Sequence, residues 1–299
     1  MPSHCTSNQP KPIAIIAASI GWGSGFHSAE RGPSLLFEAG LADRLQANVI
    51  DIQAEPSMAD GPLDQCATEQ AIMSHASRVS DAVFQAIQEG MFPVVIGGDH
   101  TSALGFHSGL ARAHGQTGII WVDTHSDLNT PETSPSGNIH GMVLAGLLGR
   151  GSVAMVKTTE SCQTRDEHVA MIGIRAADEG EQRWIDEGKI HCMTMDTVRE
   201  LGLERCMNDA FDTANKAAGG FGLTIDIDVL DPEVAPFVAT PVENGLEIAE
   251  LSSALAAISN SPRLLGLEVV EFTPRQDKDA AAGCELIASL VTAVTGVAV

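Results

Sequence analysis

The segment Asp123-Thr124-His125-Ser126-Asp127 follows the apolar run Gly118 to Val122 and carries metal-ligating side chains at alternate positions. Asp226-Ile227-Asp228 repeats that spacing after the run around Leu223, and Gly97-Gly98-Asp99-His100 follows Pro93 to Ile96. Taken singly, each has an ordinary explanation. Aspartate favours turns and helix caps, and an isolated histidine beside a strand is more often a hydrogen-bonded structural residue. Jointly they deliver four aspartates (Asp123, Asp127, Asp226, Asp228) and two histidines (His100, His125) to strand ends. Uncompensated, four buried carboxylates repel one another and pay a heavy desolvation cost. Bound divalent cations remove that penalty, and this donor set suits two ions. The oxygen-rich donors argue for a harder cation than a thiolate site takes, while the imidazoles disfavour magnesium or calcium. Manganese therefore comes first, followed by iron, cobalt or zinc. Two metals about 3.5–4 Å apart lower the pKa of a shared water and present hydroxide at neutral pH, so the implied reaction is hydrolysis.

Positioning such a set requires a sheet whose strands end together. Eight short apolar runs recur: Ile13 to Ala17, Val49 to Ile52, Pro93 to Ile96, Gly118 to Val122, Ala170 to Ile174, Ile190 to Met195, Phe221 to Ile227 and Leu264 to Val270. Each reads as a strand buried on both faces. Helical spacing fills most of the intervals, as in Glu69 to Gln88 with Ile72, Ala76, Val79, Val83 and Ile87 on one side. Asp279 to Val294 reads as a last helix packed on the sheet. Alternating strands and helices predict a parallel sheet covered on both faces. In such a sheet, ligands bind where loops leave the carboxyl ends of strands, which is where the acids and histidines fall. No internal repeat or long linker divides the chain, so residues 12–299 are expected to form one domain behind a disordered tail of residues 1–11.

Composition narrows the partners. The 299 residues carry 17 Lys+Arg against 39 Asp+Glu, a formal charge of −22, with no local basic run. Nucleic acid and anionic membranes are thus poor partners. No apolar run reaches the ~18 residues that span a bilayer, and the first residues lack a signal-peptide pattern, so a cytoplasmic protein is expected. Six cysteines occur without a C-x-x-C pair and are expected to be reduced and mostly buried. Tyrosine is absent and aromatics make up 4%, which leaves no stacking platform for bases. Small-molecule chemistry remains.

Gly97-Gly98-Asp99-His100, the Asp123 to Asp127 segment and Asp226-Ile227-Asp228-Val229-Leu230-Asp231-Pro232 together resemble the three signatures of the ureohydrolase family, to which arginases and agmatinases belong. The resemblance extends over nearly the whole chain. It implies an arginase-like three-layer α/β/α fold around a mostly parallel eight-stranded sheet, and two manganese ions per subunit. It puts His100, Asp123, Asp127 and Asp226 around one ion and Asp123, His125, Asp226 and Asp228 around the other, with Asp123 and Asp226 bridging. It further implies that Asp127 orients a bridging hydroxide that attacks the guanidinium carbon. Glu271, in Val270-Glu271-Phe272-Thr273-Pro274, matches the glutamate that pairs with the substrate guanidinium, and His140 matches a proton shuttle. Family members form trimers or hexamers, so a homo-oligomer is expected.

The substrate is read from groups for the far end of the guanidino compound. The stretch Asn129 to Met142 resembles arginase rather than agmatinase, and the family places Asn129, Ser136 and Asn138 at the substrate α-carboxylate. In Arg175-Ala176-Ala177-Asp178-Glu179-Gly180-Glu181, Asp178 matches the residue for the α-ammonium and Glu181 a water-mediated contact. Turn residues and first-turn helix acids are the plainer alternatives for these positions. The resemblance therefore implies hydrolysis of L-arginine to L-ornithine and urea. Other guanidino compounds (agmatine, guanidinobutyrate) and an inactive binding protein stand as alternatives, because Phe237, Val238 and Ala239 replace a glycine-rich run before Thr240. Those side chains are expected to narrow the pocket or shift the loop. Glu243, Asn244 and Thr273 also depart from the arginase pattern. Gly21-Trp22-Gly23-Ser24-Gly25 resembles a dinucleotide-binding turn only weakly, as its glycine spacing is short and no helix is expected to begin there.

Overall fold

The computed structural model describes residues 11–297 except 163, 260 and 277, so the expected tail, with His4 and Cys5, lies almost entirely outside the described residues. The strands are β1 (Ile13–Ser19), β2 (Asn48–Gln53), β3 (Phe92–Gly97), β4 (Gly118–Val122), β5 (Val169–Ile174), β6 (His191–Thr194), β7 (Phe221–Asp226) and β8 (Leu264–Val270). They form one sheet in the order β2-β1-β3-β8-β7-β4-β5-β6. Every neighbouring pair is parallel, where the sequence predicts a mostly parallel sheet. All eight expected strands are present, because two-sided burial makes an inner parallel strand a continuous apolar run. The edges differ. β2 alternates between exposed and half-buried positions rather than being buried on both faces, since it has a neighbour on one side only.

Helices cover both faces. Ile120 and Val122 of β4 pack in a core with the helices His27–Glu38, Leu203–Ala214, Ile248–Ala256 and Lys278–Thr295. Ile119 and Trp121, the alternate residues of that strand, pack toward Ala103, Leu104 and Val143 on the opposite face. There the helix Gln65–Gln88 lies along Ser102–His114, with Val79, Val83, Phe106 and Leu110 interleaved. The result is the three-layer arrangement. The helix His27–Glu38 corrects the expectation that none begins after the glycine-rich turn. Gly32 and Pro33 in its first two turns weaken the local helical signal, while burial of Ala29, Pro33 and Leu36 provides the packing that holds it.

The strand order decides where the chemistry falls. After β3 the chain passes over two strand positions before β4, and β7 and β8 later fill the gap. The carboxyl ends of β3, β8, β7 and β4 therefore lie side by side. Among the described residues no helix is long and apolar enough to cross a membrane. Of the described cysteines, Cys162, Cys206 and Cys284 are buried, Cys192 is half-buried and Cys66 exposed, and all are free.

Candidate active site

Those four adjacent strand ends deliver His100 after β3, Asp123, His125 and Asp127 after β4, Asp226 and Asp228 at the end of β7, and Glu271 after β8. All except His125 are buried. His100 Nδ1 lies 3.0 Å from Asp127 Oδ2, 3.3 Å from Asp226 Oδ2 and 3.4 Å from Asp123 Oδ2. One nitrogen can donate one proton, so three converging anionic oxygens leave negative charge without a partner. His125 Nδ1 lies 3.0 Å from Asp228 Oδ2 and 3.8 Å from Asp123 Oδ1. Two groups could each hold a cation, His100 with Asp123 and Asp226, and Asp123 with His125 and Asp228, their ligand atoms lying within 4.8 Å of one another. Asp123 is common to both; Asp226, expected to bridge as well, falls in one group only.

Surrounding donors fix these side chains. Trp121 Nε1 donates to Asp123 Oδ2 at 2.9 Å, the His125 N–H to Asp123 Oδ1 at 2.7 Å and the Asp228 N–H to Asp226 Oδ1 at 2.8 Å. Thr240 Oγ1 donates to Asp228 Oδ2 at 3.0 Å. The His100 ring stacks on Trp121 with centroids 4.3 Å apart. Asp127 takes a left-handed backbone conformation, φ +51°.

Protonation follows the shortage of positive charge. Burial, then the adjacent Asp228 charge, pushes Asp226 up to about 8. Burial and the charges of Asp226, Asp127 and Asp228 hold Asp123 well above the carboxylate range. Burial opposes the His125 imidazolium, but the charge and hydrogen bond of Asp228 outweigh it and push the pKa up to about 11. For Asp228, burial is outweighed by the charge and hydrogen bond of His125, leaving it at about 2. Protons thus gather where divalent cations would remove the same repulsion, and the donors suit such ions.

Glu271 stands apart from the two groups. Its Oε1 accepts from the His100 N–H at 2.9 Å and lies 3.0 Å from His140 Nδ1, while Oε2 is buried with no hydrogen-bond partner among the described residues. The strand-end turn gives Glu271 φ +67°, a conformation side chains seldom adopt. It is held because Phe272 is keyed into place: a Cβ on Gly32 would lie 2.3 Å from the Phe272 carbonyl oxygen, and one on Gly283 2.3 Å from the ring. For His140, burial is outweighed by the hydrogen bond and charge of Glu271, which push its pKa up to about 9.

The residues expected at the far end of a substrate fall into three arrangements. Asn129 Nδ2 donates to Asp178 Oδ2 at 2.8 Å, joining an amide and a carboxylate from different loops. Ser136 is exposed and accepts from the Asn138 N–H at 3.2 Å within its own turn. Glu181 is turned inward instead: Oε1 accepts from Ser126 Oγ at 2.7 Å and the Leu128 N–H at 3.0 Å, and Oε2 from the Asp178 N–H at 2.7 Å. It ties the loop after β4 to the one after β5.

The altered loop before Thr240 turns its two larger side chains into the core. Phe237 and Val238 are buried in the core, where the Phe237 ring meets Phe272 edge to face at 5.2 Å, and Thr273 N–H donates to the Phe237 carbonyl at 2.9 Å. Asn244 stands at φ +64°, which asparagine tolerates better than most residues. In the glycine-rich turn, the Gly23 N–H donates to Asp99 Oδ2 at 2.6 Å, and a Cβ there would lie 2.4 Å from Thr101. That turn is built for close approach to the strand β3 loop.

Sequence reasoning passed over Glu268. It is fully buried in β8, accepts from Ser102 Oγ at 2.8 Å and Thr224 Oγ1 at 2.9 Å, and is pushed up to about 7 chiefly by burial. A charged residue inside the run Leu264 to Val270 was the available signal.

Known proteins share both the sequence and this architecture. The sequence model of the Arginase family matches residues 11–294. An arginase of Bacillus caldovelox is 36% identical over 292 residues, covering 94% of this chain and 98% of that one. The crystal structure of arginase from Bacillus subtilis superimposes with a TM-score of 0.82 at 32% identity, covering 94% of this chain and 98% of that chain. Arginase of Entamoeba histolytica in complex with L-ornithine gives 0.84 at 25% identity, covering 95% and 99%. With the match running from the first strand to the last helix, the chain belongs to the Arginase family.

Proposed function

We propose that the chain hydrolyses L-arginine to L-ornithine and urea, with two manganese ions held by His100, Asp123, His125, Asp127, Asp226 and Asp228. As a member of the Arginase family it is a hydrolase of guanidino carbon–nitrogen bonds. The observation that carries the reading is the convergence of four aspartates and two histidines on adjacent strand ends beside a buried glutamate with a free oxygen. The mixed oxygen and imidazole donors favour manganese. When bound, the ions supply Lewis acidity and lower the pKa of water to near neutrality.

The chain's own groups do the rest. Glu271 offers its unpartnered Oε2 to the planar guanidinium, a charge-assisted contact that aligns the carbon for attack. Asp127 accepts a hydrogen bond from the attacking oxygen and keeps it directed at that carbon. Addition of water to the guanidinium carbon and cleavage of its bond to the side-chain nitrogen yields urea. The leaving nitrogen needs a proton, and His140, held protonated beside Glu271, is the donor this chain provides. At the amino-acid end, Asp178 pairs with the α-ammonium, while Asn129, Ser136 and Asn138 donate to the α-carboxylate. Support for arginine over other guanidino compounds comes from the Asn129–Asp178 pairing, from relatives named arginase, and from the L-ornithine complex of the Entamoeba histolytica relative. Agmatine lacks the carboxylate and would forgo those charge-assisted hydrogen bonds, each worth about 1.5–3 kcal/mol.

The test is urea release from manganese-loaded protein with L-arginine, agmatine and 4-guanidinobutyrate measured side by side. A preference for arginine of about 100-fold, or about 2.7 kcal/mol, is expected. Preference for another compound would reject the amino-acid contacts while keeping the hydrolysis. No urea from any of them, with two ions bound, would reject the reaction.

A further inference from the structure

Arg175 follows directly on β5, and its guanidinium carries five N–H donors in a rigid plane. All five meet backbone carbonyls. Nε donates to Glu243 O at 3.1 Å, Nη1 to Gly173 O and Val229 O at 3.3 Å each, and Nη2 to Val242 O at 2.8 Å and Asp228 O at 3.1 Å. Those oxygens belong to three separate segments: the end of β5, the turn after β7 and the loop before Gly245. Asp228 lies in the second segment, and Thr240, two residues before Val242, in the third. Thr240 Oγ1 donates to Asp228 Oδ2 at 3.0 Å, so the two segments that the guanidinium joins through their backbones also meet through their side chains. Thr124 Oγ1 adds a second donor to Asp228 O, at 2.7 Å.

We propose that Arg175 is a positioning residue of the metal site: by saturating its donors on these carbonyls it sets the Asp228 carboxylate and Thr240 hydroxyl against β5. The inference rests on the reading that Asp123, His125 and Asp228 hold a manganese ion. Arginine is required because a lysine ammonium has three donors on a single nitrogen and cannot reach carbonyls spread around a planar fork. Arg199 provides the comparison within the same loop. Its Nη2 donates to Gly245 O at 2.6 Å and Nη1 pairs with Glu250, so its hydrogen bonds among the described residues hold the far end of the loop and not residues 228 or 229.

The experiment uses the full chain as wild type, Arg175→Lys, Arg199→Lys, Thr240→Val and the Arg175→Lys/Thr240→Val double variant. Manganese binding is measured by titration calorimetry, the metal-free fold by circular dichroism, and urea release in parallel. Arg175→Lys is expected to keep the wild-type spectrum, to bind one ion normally and to bind the second at least tenfold more weakly. Arg199→Lys should leave both affinities within about twofold. Thr240→Val should weaken the same ion, and the double variant should lose less than the product of the single losses, because both act on one geometry. Wild-type affinities in Arg175→Lys overturn the proposal, as does an equal loss in Arg199→Lys or a fully multiplicative double variant. Should Arg175→Lys not fold, Arg175→Gln, which keeps two donors on a planar amide, takes its place: wild-type affinities overturn the proposal, and a weakened second ion with the wild-type spectrum supports it. A wild type that binds two ions yet releases no urea rejects the proposed reaction, while the affinity comparison still decides the role of Arg175.

Discussion

Glu271 combines two costs: a left-handed backbone, worth about 1–3 kcal/mol of strain, and a buried oxygen without a donor among the described residues. Both are offset if a guanidinium occupies Oε2. Charge-assisted hydrogen bonds contribute about 1.5–3 kcal/mol, so Glu271→Gln should lower kcat/KM for arginine by about 10- to 150-fold. The same substitution removes the charge that holds the His140 proton. In metal-free protein, His140 should titrate near 9 by NMR and shift downward in Glu271→Gln. An unmoved His140 titration would show that Glu271 is not what raises it. At the other end of the substrate, Asp178 is exposed and receives the Asn129 amide. Asp178→Ala should therefore raise KM for arginine about tenfold and narrow its margin over 4-guanidinobutyrate, which has no ammonium to lose, with kcat little changed. A loss equal for both substrates would place the aspartate's role elsewhere.

At the level of elements, the loop between β7 and the helix Ile248–Ala256 shows how volume can be added near a site without entering it. Phe237 goes into the core against Phe272, and its carbonyl receives Thr273 N–H, so the loop and the segment after Glu271 are joined by packing and one backbone bond. Phe237→Ala should cost about 3–5 kcal/mol in denaturant unfolding of the metal-free protein while KM for arginine changes less than about threefold. A large change in KM with little loss of stability would mean that the ring lines the pocket after all. This loop also marks the limit of what the sequence conveys. Inner strands such as Gly118 to Val122 were legible because burial on both faces demands apolar residues throughout. The residues after them were legible because few side chains ligate metals. The direction of Phe237 was not, since an irregular loop has no period to say which side is inside. The helix His27–Glu38 was obscured because Gly32 answers to the Phe272 carbonyl rather than to helix propensity. Glu181 matched a substrate contact, yet its oxygens are taken by Ser126, Leu128 and Asp178. The five acceptors of Arg175 are carbonyls, which every residue possesses, so nothing in the residue types foretells them.

Across the whole molecule, a chain of charge −22 concentrates its buried acids at one sheet edge, and that fixes the direction of its pH dependence. In the metal-free protein His125 is raised from 6.5 to about 11 and His140 to about 9, so each contributes stability that is complete below 6.5 and lost as pH rises toward those values. Asp226, raised from 3.8 to about 8, and Glu268, raised from 4.5 to about 7, act in the same direction, because the folded state binds their protons and the unfolded state does not. His75 and His107, lowered by burial to about 4 and about 3, are neutral above 6.5 in both states; they oppose folding only in acid, where the unfolded state binds their protons. Between pH 6.5 and 8.5, His125 and His140 should each remove on the order of 2 kcal/mol. Manganese changes the sign. Its ligands must lose their protons to bind it, so affinity, and with it the stabilisation of the folded state, grows over the same interval. Urea unfolding of chelator-treated protein should therefore show a midpoint that falls from pH 6.5 to 8.5, while the manganese-saturated protein holds or gains. Parallel slopes with and without manganese would mean that the protons and the metal occupy different places, and the shared edge of β3, β8, β7 and β4 would lose its role as the metal site.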